Sequence, residues 1–177
     1  FTERGLDERG IVYNTYDENN ITDDMIIIKG NAIKDDNPEL VRAIELDLKM
    51  YTYQEMVARL TRRFMTIAVG GCHGKTTTSS MLYHVLNSIK GANCLIGDGT
   101  GRASRENKYF VLEACEYKRH FLAYLPYYAV ITNIDFDHVD YFKDIDDVID
   151  AYVDYANHAE KMVIACGDDS YTHALSK

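Results

Sequence analysis

Apolar positions along this chain come in short compact runs that alternate with stretches of helical spacing. Gly10-Ile11-Val12-Tyr13 and Met25-Ile26-Ile27-Ile28 are runs of the length buried in parallel sheets. Asn37-Pro38-Glu39 then reads as a helix start: Asn caps, Pro takes the first helical position, and Glu meets the positive end of the peptide dipole. Leu40, Val41, Ile44 and Leu48 recur at helical spacing and predict the buried face of that helix. A short strand near Met50 and a helix through Met56 and Leu60 follow. A second series begins with an apolar run over 65–69, a glycine-rich turn, and a helix with its apolar face at Met81, Leu82, Val85, Leu86 and Ile89, stopped by Gly91. Strands over 109–112 and 128–132, a helix over 148–156 and a strand over 162–165 complete it. Alternation of this kind predicts an α/β fold of two Rossmann-like segments, each with a mostly parallel sheet and each incomplete. The boundary is expected at Thr61-Arg62-Arg63, dividing the chain into residues 1–62 and 63–177.

Composition narrows the partners more than the fold. The chain has 177 residues, of which 46% are apolar, enough for a buried core, and a formal net charge of -9. That charge argues against broad electrostatic binding to nucleic acid or to an anionic membrane. No apolar run approaches the roughly 20 residues that span a bilayer, and no basic-then-apolar leader opens the chain. Cys72, Cys94, Cys115 and Cys166 form no C-x-x-C pair, so they read as reduced thiols of a cytoplasmic protein and not as a disulfide frame or zinc site. The oligomeric state is left open.

Three stretches carry chemistry. In the first, a strand leads through Gly70-Gly71-Cys72-His73-Gly74-Lys75-Thr76-Thr77-Thr78 into a helix. Glycine lets backbone approach phosphate oxygens, and the helix N-terminus turns its N–H groups toward an anion. Lys75 would neutralise the β- and γ-phosphates of a nucleotide, and the Thr76 hydroxyl would ligate Mg²⁺. The full-length phosphate loop has a glycine five residues before Gly74, where this chain has Val69, so the match is to a shortened loop. An ordinary glycine turn with a solvated lysine is the plainer alternative. The second stretch, Asn133-Ile134-Asp135-Phe136-Asp137-His138, follows a strand and so belongs to the ligand-binding rim of a parallel sheet. Taken alone, His138 is equally a polar loop residue, since Mg²⁺ prefers oxygen to imidazole. The third, Val111-Leu112-Glu113-Ala114-Cys115-Glu116-Tyr117-Lys118-Arg119-His120, sets Glu113 at a strand end. Glu113 there is a metal ligand or a solvated carboxylate, and Glu116, Lys118 and Arg119 are equally a surface charge cluster.

Together with Leu95-Ile96-Gly97-Asp98-Gly99-Thr100-Gly101, and continuing through Phe121-Leu122 and Val139-Asp140-Tyr141-Phe142, these stretches resemble in order the central ATPase domain of Mur-type ATP-dependent ligases. The likeness is to the branch that joins L-alanine to UDP-N-acetylmuramate, in the version found in Gram-positive-type bacteria. Residues 30–39 resemble the later part of that family's UDP-sugar-binding domain. The resemblance implies that Gly71, Cys72, His73, Gly74, Lys75, Thr76 and Thr77 cradle ATP. It implies Mg²⁺ on Thr76, Glu113 and His138, with Lys75, Glu113 and His138 at the γ-phosphate. Cys72 stands where relatives generally carry Thr or Ala, a small change that should leave the backbone donors in place. Sister ligases use a carbamylated lysine beyond the metal histidine. Val153 occupies that region here, with no Lys between Lys143 and Lys161, as expected of the alanine-adding branch.

The resemblance also places a glycine-rich UDP-binding loop before Phe1, and a domain for adenine and the amino acid beyond Lys177. At most weak ATP binding, and no ligation, is therefore expected of these residues alone. Alternatives within the class are the peptide-recycling Mur ligase and the folylpolyglutamate synthetases. From other classes, a phosphate-loop switch NTPase and a non-catalytic nucleotide-binding remnant also remain.

Overall fold

A computed structural model describes residues 15–176, so the strand expected over 10–13 lies outside the described residues. The chain divides into two compact units between Val57 and Ala58. In the first unit, β1 (Ile26–Lys29) and β2 (Lys49–Thr52) pair in parallel, with Ile26 opposite Lys49 and Lys29 opposite Thr52. Between them runs α1 (Pro38–Glu45), the helical crossover that parallel strands require. The Asn37 side chain accepts from the N–H groups of Glu39 and Leu40 at 3.0 and 3.3 Å, as its cap position dictates. The buried face is narrower than the spacing predicts. Leu40 and Ala43 are buried, whereas Val41 and Ile44 are exposed. The helix ends after eight residues and Asp47 takes a left-handed φ of 51°, so Leu48 leaves the helix instead of extending the stripe.

The division between units falls inside α2 (Tyr53–Thr61). A reciprocal cap starts this helix: Glu55 N–H donates to the Thr52 hydroxyl at 3.2 Å, and Thr52 N–H to the Glu55 carboxylate at 2.7 Å.

The second unit is a six-stranded sheet of β3 (Met65–Gly70), β4 (Ala92–Leu95), β5 (Gly101–Arg102), β6 (Tyr109–Glu113), β7 (Tyr128–Ile131) and β8 (Met162–Ala165), with α3 (Lys75–Lys90) and α4 (Ile145–Asn157). Its order is β5-β4-β6-β3-β7-β8, parallel throughout except for the antiparallel β4–β5 pair. The expected α/β architecture with mostly parallel sheets is therefore present.

Local patterning does not announce β4 or β5. Asn93 interrupts a four-residue run, yet it is fully buried. Its amide is satisfied from further along the chain: it donates to the Ser104 carbonyl at 3.1 Å and accepts from Ser104 N–H at 2.7 Å and Asn107 Nδ2 at 3.0 Å. A buried polar side chain is stable only with such partners. On α3 the predicted stripe again splits. Leu82, Tyr83 and Leu86 pack on Cys94, Ile96 and Val111, while Met81, Val85 and Ile89 face outward.

An aromatic cluster fills the space between β3 and α4. Phe121, Tyr152 and Tyr155 are fully buried, with Phe121 stacked on Tyr155 at 4.6 Å and edge-on to Tyr152 at 5.2 Å. The Tyr155 hydroxyl donates to the Ala68 carbonyl at 2.9 Å. Burial pushes both phenols up, so they remain protonated donors at any ordinary pH. Among the described residues no helix is long and apolar enough to cross a membrane. Phe121→Ala is expected to cost about 3–5 kcal/mol by opening a cavity between β3 and α4. Urea unfolding measures it, and a loss under about 1 kcal/mol would mean that the cluster is not the core of this unit.

Candidate active site

β3 lies in the middle of the large sheet, with β6 on one side and β7 on the other, and the chain crosses from β3 through α3 to the far strand β4. Such a reversal of strand order opens a crevice at the carboxyl ends of the strands. The loop between β3 and α3 occupies that crevice and has only four residues, Gly71 to Gly74, because Val69 is still in β3, opposite Glu113 and Val130. This is why the first glycine of the longer pattern is missing.

The loop is held by the segment after β7. Thr132 Oγ1 and Asn133 Nδ2 both donate to the His73 carbonyl, at 2.7 and 2.8 Å, and His73 N–H donates back to Asn133 Oδ1 at 2.9 Å. Cys72 N–H reaches the Asn133 carbonyl at 3.3 Å. The Cys72 thiol bridges to Asp135 in both directions, donating to its carbonyl at 3.1 Å and accepting from its N–H at 3.2 Å. Burial pushes that thiol up, which keeps it a donor. Gly71, at φ 134°, packs so close that a Cβ would fall on the Thr132 hydroxyl. Gly74, at φ 78°, faces open space. As the N-cap of α3 it offers no side chain to the first helical N–H groups, which are left for an anion.

Around this cradle the side chains form two linked sets. Lys75 Nζ donates to the carbonyls of Gly71 at 2.6 Å and Cys72 at 3.3 Å, and to Glu116 Oε1 at 3.0 Å. The Glu116 side chain is 1% exposed, and His138 Nε2 lies 3.4 Å from its Oε1. In the other set, the Thr76 hydroxyl donates to Glu113 Oε1 at 3.1 Å, and Gly97 N–H donates to Glu113 Oε2 at 2.7 Å. A Cβ on Gly97 would sit 2.6 Å from Glu113 Oε1, so glycine is what allows the turn after β4 to grip that carboxylate. His138, itself at a left-handed φ of 53°, packs its ring 4.7 Å from Tyr117, whose hydroxyl donates to Asp140 at 2.6 Å.

The residues expected to hold nucleotide and metal lie together at this loop. Lys75, Thr76, Glu113 and His138 are gathered around the loop, while His73 and Thr77 are exposed beside it. The surface charge cluster that Glu116, Lys118 and Arg119 could equally have formed comes apart. Lys118 is exposed, Arg119 pairs with Asp147 at 2.6 Å, and Glu116 turns inward to Lys75. Left-handed backbone at Lys118 and Arg119, which no residue type signals, redirects the chain just after Glu116. The one available sign was a second acidic residue close behind a rim strand. Chemically, a glycine cradle with a lysine and a helix N-terminus suits phosphate. The oxygens of Thr76, Glu113, Glu116 and Asp137 suit a hard divalent cation such as Mg²⁺, with His138 as the softer exception.

Comparison with known proteins gives the family and the fold. Residues 69–177 match the model of the Mur ligase middle domain, and residues 1–65 that of the Mur ligase family catalytic domain. A UDP-N-acetylmuramate-alanine ligase from Thermotoga maritima superposes with a TM-score of 0.82 at 28% identity, over 96% of this chain and 42% of that one. A UDP-N-acetylmuramate:L-alanyl-gamma-D-glutamyl-meso-diaminopimelate ligase from Neisseria meningitides gives 0.77 at 22% identity, over 99% of this chain and 64% of that one. MurF ligase from Thermotoga maritima in complex with ADP gives 0.63 at 15% identity, over 90% and 46%. The last two are likenesses of fold alone, and this chain spans less than two thirds of each of the three.

The two loop glycines are expected to respond differently to alanine. Gly74→Ala should lower stability by about 1–2 kcal/mol, the cost of left-handed alanine. Gly71→Ala should lower it by clearly more, because the clash with Thr132 adds to the strain. Equal losses in urea unfolding would contradict this description of the loop.

Proposed function

The chain belongs to the Mur ligase family, and on that premise we propose that the protein is an ATP-dependent ligase that adds L-alanine to the lactyl carboxylate of UDP-N-acetylmuramate. The reading places it in the cytoplasm, in peptidoglycan precursor synthesis and hence in cell-wall growth and division. Residues 1–62 contribute to the UDP-sugar segment and 63–177 to the ATP segment. The observation that carries it is the gathering of Lys75, Thr76, Glu113 and His138 around one glycine cradle. The alanine branch rests on the Glu113-to-Leu122 and Thr132-to-Phe142 motifs, and is supported by the likeness to the Thermotoga maritima alanine ligase.

The reaction has two steps. The lactyl carboxylate attacks the γ-phosphorus of ATP, the bond to the β,γ-bridging oxygen breaks, and an acyl phosphate and ADP result. The amine of L-alanine then attacks the acyl carbon, loses a proton, and expels inorganic phosphate. Phosphoryl transfer of this kind needs positioning and charge neutralisation more than covalent help from the protein. The N–H groups at the start of α3 hold the phosphate oxygens, and Lys75 sets its ammonium against the charge that develops on the bridging oxygen. Mg²⁺, held by Thr76 and Glu113 and at a second position by His138, supplies further charge neutralisation when bound. Glu113, fixed by Gly97 and Thr76, keeps its carboxylate turned to the cradle.

In the intact enzyme, Lys75→Ala is expected to lower L-alanine-dependent phosphate release by about 100-fold or more while UDP-N-acetylmuramate still binds. Near-normal turnover in that variant would refute the assignment. Supplying L-alanine or the L-alanyl-γ-D-glutamyl-diaminopimelate tripeptide as acceptor separates the alanine branch from the peptide-recycling one.

A further inference from the structure

An ammonium has three N–H donors, and all three of Lys75 are committed: to the Gly71 carbonyl, the Cys72 carbonyl and Glu116. A phosphate in the cradle must take one of them. The two carbonyls belong to the loop that forms the cradle, whereas Glu116 comes from the segment after β6. Its carboxylate is the competitor of the same charge sign as phosphate. Glu116 cannot be left alone, however. Its side chain is 1% exposed, and a buried carboxylate without a counter-charge is strongly destabilising. Another cation has to replace the ammonium, and the surroundings are built for one. Ligand atoms of Glu116, Asp137 and His138 all lie within 4.8 Å of one another. Glu116 Oε2, although 2.9 Å from Lys75 Nζ, is off the direction of a hydrogen bond and has no such partner among the described residues. The carboxylate that reaches the His138 imidazole through Oε1 thus keeps a buried second oxygen with an unused lone pair.

We propose that Glu116 is a partner-exchanging carboxylate: it holds Lys75 until phosphate claims the ammonium, and then joins Asp137 and His138 around a divalent cation. Phosphate binding and cation binding are thereby coupled through one buried side chain, over and above the direct attraction between cation and phosphate. Linkage makes the coupling reciprocal, so each ligand tightens the other by the same factor. The inference rests on reading the loop as a nucleotide-phosphate site and adds to it a residue whose role is to tie the two ligands together.

The test uses the intact protein, with ADP and Mn²⁺ as separate probes. Glu116→Gln releases Lys75, so ADP measured calorimetrically in EDTA should bind about 5- to 10-fold tighter than to wild type. The same variant should lose the nucleotide-free Mn²⁺ site followed by electron paramagnetic resonance. Lys75→Met frees Glu116, and nucleotide-free Mn²⁺ should then bind about 10-fold tighter or more. Asp137→Asn should weaken Mn²⁺ without changing ADP binding in EDTA. General damage to the fold weakens both ligands, so the opposite signs expected of Glu116→Gln separate a coupling role from a structural one. Unchanged or weaker metal-free ADP binding in Glu116→Gln, or unchanged Mn²⁺ binding in Lys75→Met, overturns the proposal and leaves the nucleotide site standing. Failure of the wild-type protein to bind ADP even with Mg²⁺ overturns the site reading and this inference with it.

Discussion

Between the ammonium of Lys75 and the carboxylate of Glu116 runs the contact on which the site depends. It joins the first residue of α3 to a segment that has just left β6, inside a crevice where Glu116 has almost no solvent. Removing either partner strands the other, and a stranded buried charge costs several kcal/mol, on the order of 3–5. The pair therefore constrains its surroundings. It draws the 113–123 segment across the loop, and it places His138 within reach of the same carboxylate.

Two close approaches make that constraint affordable in space. Gly71 lies against Thr132 and Gly97 against Glu113, each with no room for a Cβ. The first brings the loop onto the end of β7, and the second brings the turn after β4 onto the end of β6. The rim is thus assembled from four separate stretches whose contacts are polar and mutual: the Cys72 thiol with Asp135, His73 with Asn133, Thr76 with Glu113, Tyr117 with Asp140. Beneath it, Phe121, Tyr152 and Tyr155 supply the apolar support. The middle-domain match covers the rim and its support, and the first 65 residues match a separate model.

Much of this was legible in the residues. Apolar runs marked β1, β3, β6, β7 and β8; in β3 and β6 this is because a strand buried on both faces leaves few positions for polar side chains, whereas Ile26 and Ile28 of β1 and Met162 and Ile164 of β8 stay exposed. Asn37, Pro38 and Gly91 marked helix ends because capping is a local interaction. The spacing of Gly74, Lys75 and Thr76 after a strand pointed to phosphate for the same reason: loop and helix start are neighbours in sequence. Lys75, Thr76, Glu113 and His138 were legible one by one as rim residues, since each follows or ends a strand.

What stayed hidden was whatever depended on distant partners. Asn93 looks like a break in a strand until the loop at Ser104 and Asn107 satisfies its amide. Val41, Ile44, Met81, Val85 and Ile89 have the spacing of buried residues, but burial is decided by which side of a helix meets its neighbour. Glu116 reads as surface charge, and only the fold turns it to Lys75, 41 positions away. Sequence alone determined the order of most elements, the glycine loop between β3 and α3 and the family, because those follow from local backbone chemistry and contiguous motifs. Tertiary structure alone decided which charges are buried together and which apolar faces are covered, because both depend on groups far apart along the chain meeting in space.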